Sequence, residues 1–239
     1  MPSQPRLDRT IGQLVVERPA RARVFERYGL DYCCGGKAPL TEACRKQGLS
    51  FDAICRELAT IDDGAEPLQT DWSTVTMAEL ADHIVDAHHI HLRRELPRLD
   101  ALLEKVTRVH GDNHPELRQC REVFLSLAAE LNTHMLKEEQ VLFPMIRQLE
   151  TGQSSPVIGC GSIDNPIRVM EHEHDDTGRA LARLRTLTNG YVPPADACNT
   201  YRVMLDSLSE LERDLHTHIH KENNILFPRA IAVAQSCAS

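Results

Sequence analysis

Apolar positions in this chain fall on helical spacing over most of its length, broken by two stretches of turn-forming residues. Residues 1–62 read as several short helices. Thr10 is placed to cap a helix over Ile11–Glu17, and Pro19 opens a second that ends at Gly29. Thr41 and Ser50 are in position to cap two more. Residues 63–75 hold Gly, Pro, Asp and Ser with little apolar periodicity and read as a linker. Four long helices follow over residues 76–239. Thr76-Met-Ala-Glu79 is a capping box that starts the first, whose inward face carries Val85, His89, Leu92, Leu96, Leu99, Leu103 and Val106. Pro97 lies inside it and is expected to kink it. Pro115 opens the second, with Leu127, Leu131, His134, Glu138, Val141, Leu142 and Met145 facing in and Pro144 marking a bend. A loop over Thr151–Asn165 leads to a third helix capped by Asn165-Pro166, with Ile167, Met170, His174, Leu181 and Leu184 inward. Asp196 is expected to cap the fourth, with Leu208, Leu211, Leu215, His218, Glu222 and Ile225 inward. The expected fold is all-α, an up-down four-helix bundle preceded by a small helical domain.

Polar residues interrupt those inward faces in a repeated way. His134-Met-Leu-Lys-Glu138-Glu-Gln-Val-Leu-Phe-Pro144 returns 84 residues later as His218-Ile-His-Lys-Glu222-Asn-Asn-Ile-Leu-Phe-Pro228. In each, a His precedes a Glu by four residues, which stacks both on one helix face. The pattern H-x4-R-x-L-x-R-L, from His89 to Leu99, returns 85 residues later from His174 to Leu184. The chain is thus a doubled helical hairpin, each copy offering one His on its first helix and a His-x3-Glu on its second.

Six residues result: His89, His134, Glu138, His174, His218 and Glu222. Imidazole and carboxylate donors drawn from all four helices of a bundle suit a dinuclear iron or manganese centre, whereas thiolate-rich sites favour zinc. Two bridging Glu and two His per ion give four protein ligands each; an oxo or hydroxo bridge adds a fifth and leaves a position open for a small ligand. Glu130 and Asp214 lie four residues before His134 and His218 and are candidates to accept their outward N–H groups. His216 and His220, four apart, form a rival zinc-like pair.

Composition narrows the partners. The 239 residues carry a formal net charge of −8 and only 4% aromatics, unlike the basic, aromatic surface that nucleic acid requires. No apolar run approaches the roughly 20 residues of a membrane span, and no apolar signal core follows the first residues. A cytoplasmic protein is expected, and its eight Cys, none in a C-x-x-C pair, are expected to be reduced thiols. Two of them stand together in Asp31-Tyr32-Cys33-Cys34-Gly35-Gly36-Lys37. The Gly pair permits a tight turn that would leave both thiols near the surface, where Lys37 and a helix start would lower a thiol pKa. This pair is a candidate redox, thiol-transfer or iron-handling dithiol.

Together, the D-Y-C-C-G-G-K segment and the duplicated H-x3-E…L-F-P segments closely resemble the iron–sulfur cluster repair di-iron proteins, the repair-of-iron-centres family. The resemblance spans nearly the whole chain and implies a hemerythrin-like bundle behind an N-terminal Cys-Cys domain. It implies two iron ions held by His89, His134, His174 and His218 and bridged by Glu138 and Glu222. Cys33 and Cys34 would assist repair of clusters damaged by nitric oxide or oxidants, with damaged iron–sulfur proteins as partners and a homodimer as a further expectation. The fifth His of hemerythrin has no counterpart here, which weighs against reversible oxygen storage. Reduction of nitric oxide or peroxide by the centre, and oxygen or iron sensing, are the competing readings.

Overall fold

A computed structural model describes residues 9–62, 70–152 and 163–237. The expected loop over Thr151–Asn165 and linker over 63–75 therefore lie largely outside the described residues.

The N-terminal part contains α1 (Ile11–Glu17), a 3-10 turn (Pro19–Arg21), α2 (Ala22–Arg27), α3 (Leu40–Gln47) and α4 (Phe51–Asp62). Thr10 and Gln13 form a reciprocal capping box at α1, and Ser50 accepts from the Ala53 N–H at α4. The α3 cap differs from expectation: Pro39 precedes the helix, and Thr41 lies inside its first turn. Pro39 is already held by a backbone bridge to Thr10, which fixes where α3 begins. Ile11, Leu14, Phe25, Tyr32, Leu40, Ile54 and Leu58 make the small core. Buried Arg21 ties α1 to α4 by pairing with Glu17 and Asp62 and donating to the Leu14 carbonyl.

Four rods form the bundle. The first is α5 (Met77–Ile84), a wide turn (Val85–His89) and α6 (Ile90–His110). The second is α7 (Glu116–Lys137), a wide turn (Glu138–Leu142) and α8 (Phe143–Glu150). The third is α9 (Asp164–Leu187), and the fourth is α10 (Asn199–Lys221), a wide turn (Glu222–Leu226) and α11 (Phe227–Cys237). Thr76 and Glu79 cap α5 as expected, and the Glu150 carboxylate accepts the Met77 and Ala78 N–H groups. The segment before α5 is anchored rather than free: Trp72 stacks on His83, and Arg229 donates to the Trp72 and Val75 carbonyls.

The three wide turns are π-helical, with Ile90, Phe143 and Phe227 each donating to the carbonyl five residues back. An added residue per turn rotates the remainder of the rod, so Val141, expected inward, is half exposed at 51%. Pro144 and Pro228 come directly after two of these turns, where a missing N–H falls on backbone already released from regular pairing. The helix runs on through Pro97 from Ile90 to His110, so the irregularity lies at the His89 turn instead. Asn165 and Pro166 fall in the first turn of α9, which starts at Asp164. The α10 cap is Cys198, not Asp196, whose carboxylate pairs instead with His114. Before it, Asn189, Gly190 and Tyr191 all take positive φ, folding the unequal ends of α9 and α10 into one connection.

Two apolar layers fill the bundle. One runs from Leu92, Leu99 and Leu103 across to Phe124, Leu181 and Leu208; the other holds Ile84, Leu142, Phe143, Ile167, Met170 and Phe227. Leu99→Ala should cost about 2–5 kcal/mol in urea unfolding, whereas exposed Leu125→Ala should stay within about 0.5 kcal/mol. Cys198 offers a pH test. The Tyr201 backbone N–H and the His110 ring stabilise its thiolate and bring it down to about 7, so its alkylation rate should climb as pH rises through 7. Buried Cys120, pushed up to about 12 by burial, should stay unreactive over the same range.

A candidate metal centre between the two apolar layers

All six sequence-derived residues meet where the two apolar layers face each other. His89 Nε2 lies 3.3 Å from His218 Nε2, and His174 Nε2 lies 3.1 Å from His134 Nε2. Glu138 reaches both pairs, with oxygens 3.3 Å from His89 and 3.3 Å from His134. Glu222 does the same, 3.0 Å from His218 and 3.2 Å from His174. Two four-donor groups result, His89–His218 and His134–His174, and both share Glu138 and Glu222. Each of the six is nearly or wholly inaccessible, and both glutamates are 0% exposed.

The outward ring nitrogens fix what faces inward. His89 Nδ1 meets Glu139 at 2.7 Å, His134 Nδ1 meets Glu173 at 2.9 Å, and His174 Nδ1 meets Asn223 Oδ1 at 2.8 Å. Each of those oxygens can only accept, so each Nδ1 carries a hydrogen, and in the neutral ring each Nε2 offers its lone pair inward. With both rings neutral, His134 and His174 point lone pairs at each other across 3.1 Å. Lone pairs so placed repel unless a proton or a metal ion lies between them. Imidazole–metal bonds of about 2.1 Å set near a right angle give about this nitrogen separation. Both Glu138 oxygens and one Glu222 oxygen, although buried, make no hydrogen bond among the described residues. Such orphaned carboxylate oxygens are costly in a dry core and fit a shared cation.

Charge balance points the same way. Burial opposes a proton on His134, yet Glu138 and Glu173 raise its pKa to about 10. Burial and the nearby Glu222 push Glu138 toward its neutral form, but His134 and His89 outweigh them and hold it below the usual range. Glu222 is likewise opposed by burial and held well below by His218 and His174. Glu173 is brought down to about 2, chiefly by its hydrogen bond from His134 and also by Lys137. The cluster is therefore a deep negative well that demands positive charge.

Other expectations need correction. Glu130 is exposed and accepts from Ser126; its side chain leans toward the start of α7, away from His134. Asp214 accepts from His88 Nδ1 at 2.7 Å, not from His218. His88 stacks flat on His218 and accepts from buried Lys221, whose own pKa burial lowers to about 8. His216 and His220 form no zinc pair: both pack against the Tyr32 ring. The partners that the sequence reading missed, Glu139, Glu173 and Asn223, stand beside the metal-type residues in the repeat. Glu139 and Asn223 are equivalent positions, and so are His88 and Glu173.

The Cys turn lies directly outside the centre. Asp31 accepts the N–H groups of Cys33, Cys34 and Gly35, closing the turn. Cys33 is buried rather than near the surface, 3.7 Å from the Cys34 sulfur, and Cys34 donates to the His174 carbonyl. Lys37 does not serve the thiols; it pairs with Glu171, and contact with Cys34 together with burial raises the Cys33 pKa. Asp31, Cys33 and Cys34 nevertheless gather three metal-type donors. A cleft of about 700 Å³ opens over them, lined also by Gly178, Arg179 and His216.

Residues 80–230 match the model of the hemerythrin HHE cation binding domain, and residues 7–62 match ScdA_N, a domain of unknown function. An iron–sulfur cluster repair protein YtfE from Enterobacter sp. (strain 638) is 43% identical over 94% of this chain and 97% of its own. The proteins of the same name from Citrobacter koseri and Escherichia coli O81 are each 41% identical over the same shares. The chain belongs to the iron–sulfur cluster repair protein family. Its bundle is a cation-binding hemerythrin-type domain, and no helix among the described residues is long and apolar enough to cross a membrane.

The buried well gives a direct test. The double variant Glu138→Gln, Glu222→Gln should lose bound metal by elemental assay, while Glu130→Gln keeps it. Ferrous iron at 100 times its Kd should stabilise the unaltered chain by about 2.7 kcal/mol and leave the double variant's melting temperature unmoved.

Proposed function

We propose that this chain stores two iron ions in the shared well and releases iron to rebuild damaged iron–sulfur clusters. His89 and His218 would hold one ion and His134 and His174 the other, with Glu138 and Glu222 bridging both. The observation that carries this reading is the convergence of four buried imidazoles on two carboxylates, three of whose four oxygens have no hydrogen-bond partner among the described residues. Nitrogen and oxygen donors without thiolate suit iron or manganese, and the names of the relatives point to iron chemistry. When bound, the iron pair would supply ferrous iron and open positions for a small ligand such as nitric oxide or dioxygen.

The protein's own groups have distinct tasks in this reading. Glu139, clamped by Arg93, and Glu173, clamped by Lys137, orient His89 and His134 and raise their basicity. His174 is oriented by a neutral amide, and His218 Nδ1 has no hydrogen-bond partner among the described residues. Each position therefore has one strongly and one weakly supported imidazole, which suits a store that must also let go. The apolar layers on either side keep water away. Residues 1–62 would act as a thiol-bearing domain that presents Cys33 and Cys34 at the exit, joined through 63–75 to the storage bundle over 76–239. Clients would be damaged iron–sulfur proteins in the reducing cytoplasm, where these thiols stay free.

The iron-loaded chain should reactivate an oxidatively damaged [4Fe–4S] enzyme in proportion to the iron supplied. Cys33→Ala with Cys34→Ala should keep the iron and slow reactivation. No reactivation by the loaded chain, or sustained nitrous oxide formation from nitric oxide in its place, would overturn donation in favour of turnover chemistry.

A further inference from the structure

Asn223 holds two partners at once. Its side-chain oxygen accepts from His174 Nδ1 at 2.8 Å, and its side-chain nitrogen donates to the Cys33 carbonyl at 3.3 Å. The equivalent residue in the first half, Glu139, backs His89 but can only accept. Replacing a carboxylate by an amide at this position is what lets one side chain reach both a centre imidazole and the Cys turn. Cys34 makes a second link by donating to the His174 backbone carbonyl at 3.3 Å. Among the described residues, the partners of His89 and His134 belong to the bundle and are clamped within it by Arg93 and Lys137. His174 alone has an imidazole partner that is itself bonded to the N-terminal domain.

The neighbouring residue shows how closely the turn is seated. Asn224 donates to the Tyr32 and Cys33 carbonyls. A Cβ on Gly36 would lie 2.5 Å from the Asn224 oxygen and 2.5 Å from the Tyr32 carbonyl oxygen, and one on Gly12 would lie 2.1 Å from Asn224. Only glycine lets the turn approach this closely.

We propose that Asn223 is a latch through which the seated Cys33–Cys34 turn holds His174 in place, so that lifting the turn loosens the cation position served by His134 and His174. This rests on the storage reading above. A client or thiol reagent engaging Cys34 would break the direct link to His174 and draw the Cys33 carbonyl away from Asn223. The imidazole would then lose its orienting partner while the other position kept its own. Asn223 is a positioning residue in this scheme and touches no cation.

The test uses the full chain loaded with ferrous iron and an external ferrous chelator. Gly36→Ala lifts the turn without altering any centre residue, and should speed loss of one of the two ions about tenfold. Asn223→Asp restores a carboxylate as at Glu139, so His174 stays backed whatever the turn does, and Gly36→Ala in that background should change nothing. Equal acceleration in both backgrounds, or in neither, overturns the latch. A second measurement needs no metal: with exposed Cys198 replaced by Ser, Asn223→Asp should raise Cys34 alkylation several-fold, because a carboxylate cannot donate to the Cys33 carbonyl. Unchanged protection of Cys34 overturns the proposal. A chain that binds no ferrous iron at all overturns the storage reading itself, whereas one that binds two ions without the coupling overturns only the latch.

Discussion

Imidazole nitrogens converging on two carboxylates in a buried core are the constraint on which this structure depends. Three of the four inward histidines have their hydrogen committed outward, to Glu139, Glu173 and Asn223. Two fully buried carboxylates stand among them, and three of their four oxygens have no hydrogen-bond partner among the described residues. An uncompensated buried carboxylate is among the most unfavourable groups a core can hold. The arrangement is stable only with positive charge inside it. Protons can supply that charge in the empty chain, as the raised His134 pKa reflects, and a pair of metal cations would supply it more fully.

The backbone is bent to meet that constraint. Three of the four rods widen by one residue per turn at the level of the centre, and two of the widened turns begin at the buried glutamates themselves. Rotating the chain there lets Glu138 and Glu222 enter the core while Leu142, Phe143, Leu226 and Phe227 still pack in the apolar layer beyond. Irregular turns of this kind give up regular pairing locally and are concentrated at working sites. The two halves are alike in this bending but not in what surrounds it. Glu139 became Asn223, and Glu173 stands where the first half has His88. The inner donors are nearly symmetric and their supports are not, which separates holding metal from controlling it.

Much of this was legible in the chain. Doubling of His-x3-Glu and of H-x4-R-x-L-x-R-L chose four histidines out of twelve, because neighbours one or two residues apart on a helix point elsewhere. The capping boxes at Thr10 and Thr76 were readable from local chemistry alone. Val141 was misread because strict helical periodicity does not anticipate a turn with an extra residue. Glu130 was misread because a residue one turn earlier on the same helix leans away, and the outward nitrogen of His134 is met from α9 instead. The same repeat held the correction: the residues beside each selected His and Glu, 88 with 173 and 139 with 223, are the ones that support the centre. Cys33 looked exposed because the Gly pair permits a tight turn that would leave both thiols near the surface; Gly36 instead allows close seating against Asn224.

Anomalous diffraction at the iron edge from crystals of the iron-loaded chain tests the central claim most directly. The account requires two peaks in the bundle, one flanked by His89 and His218 and one by His134 and His174, with Glu138 and Glu222 touching both. A single peak, or iron found only beside Asp31, Cys33 and Cys34, would contradict it.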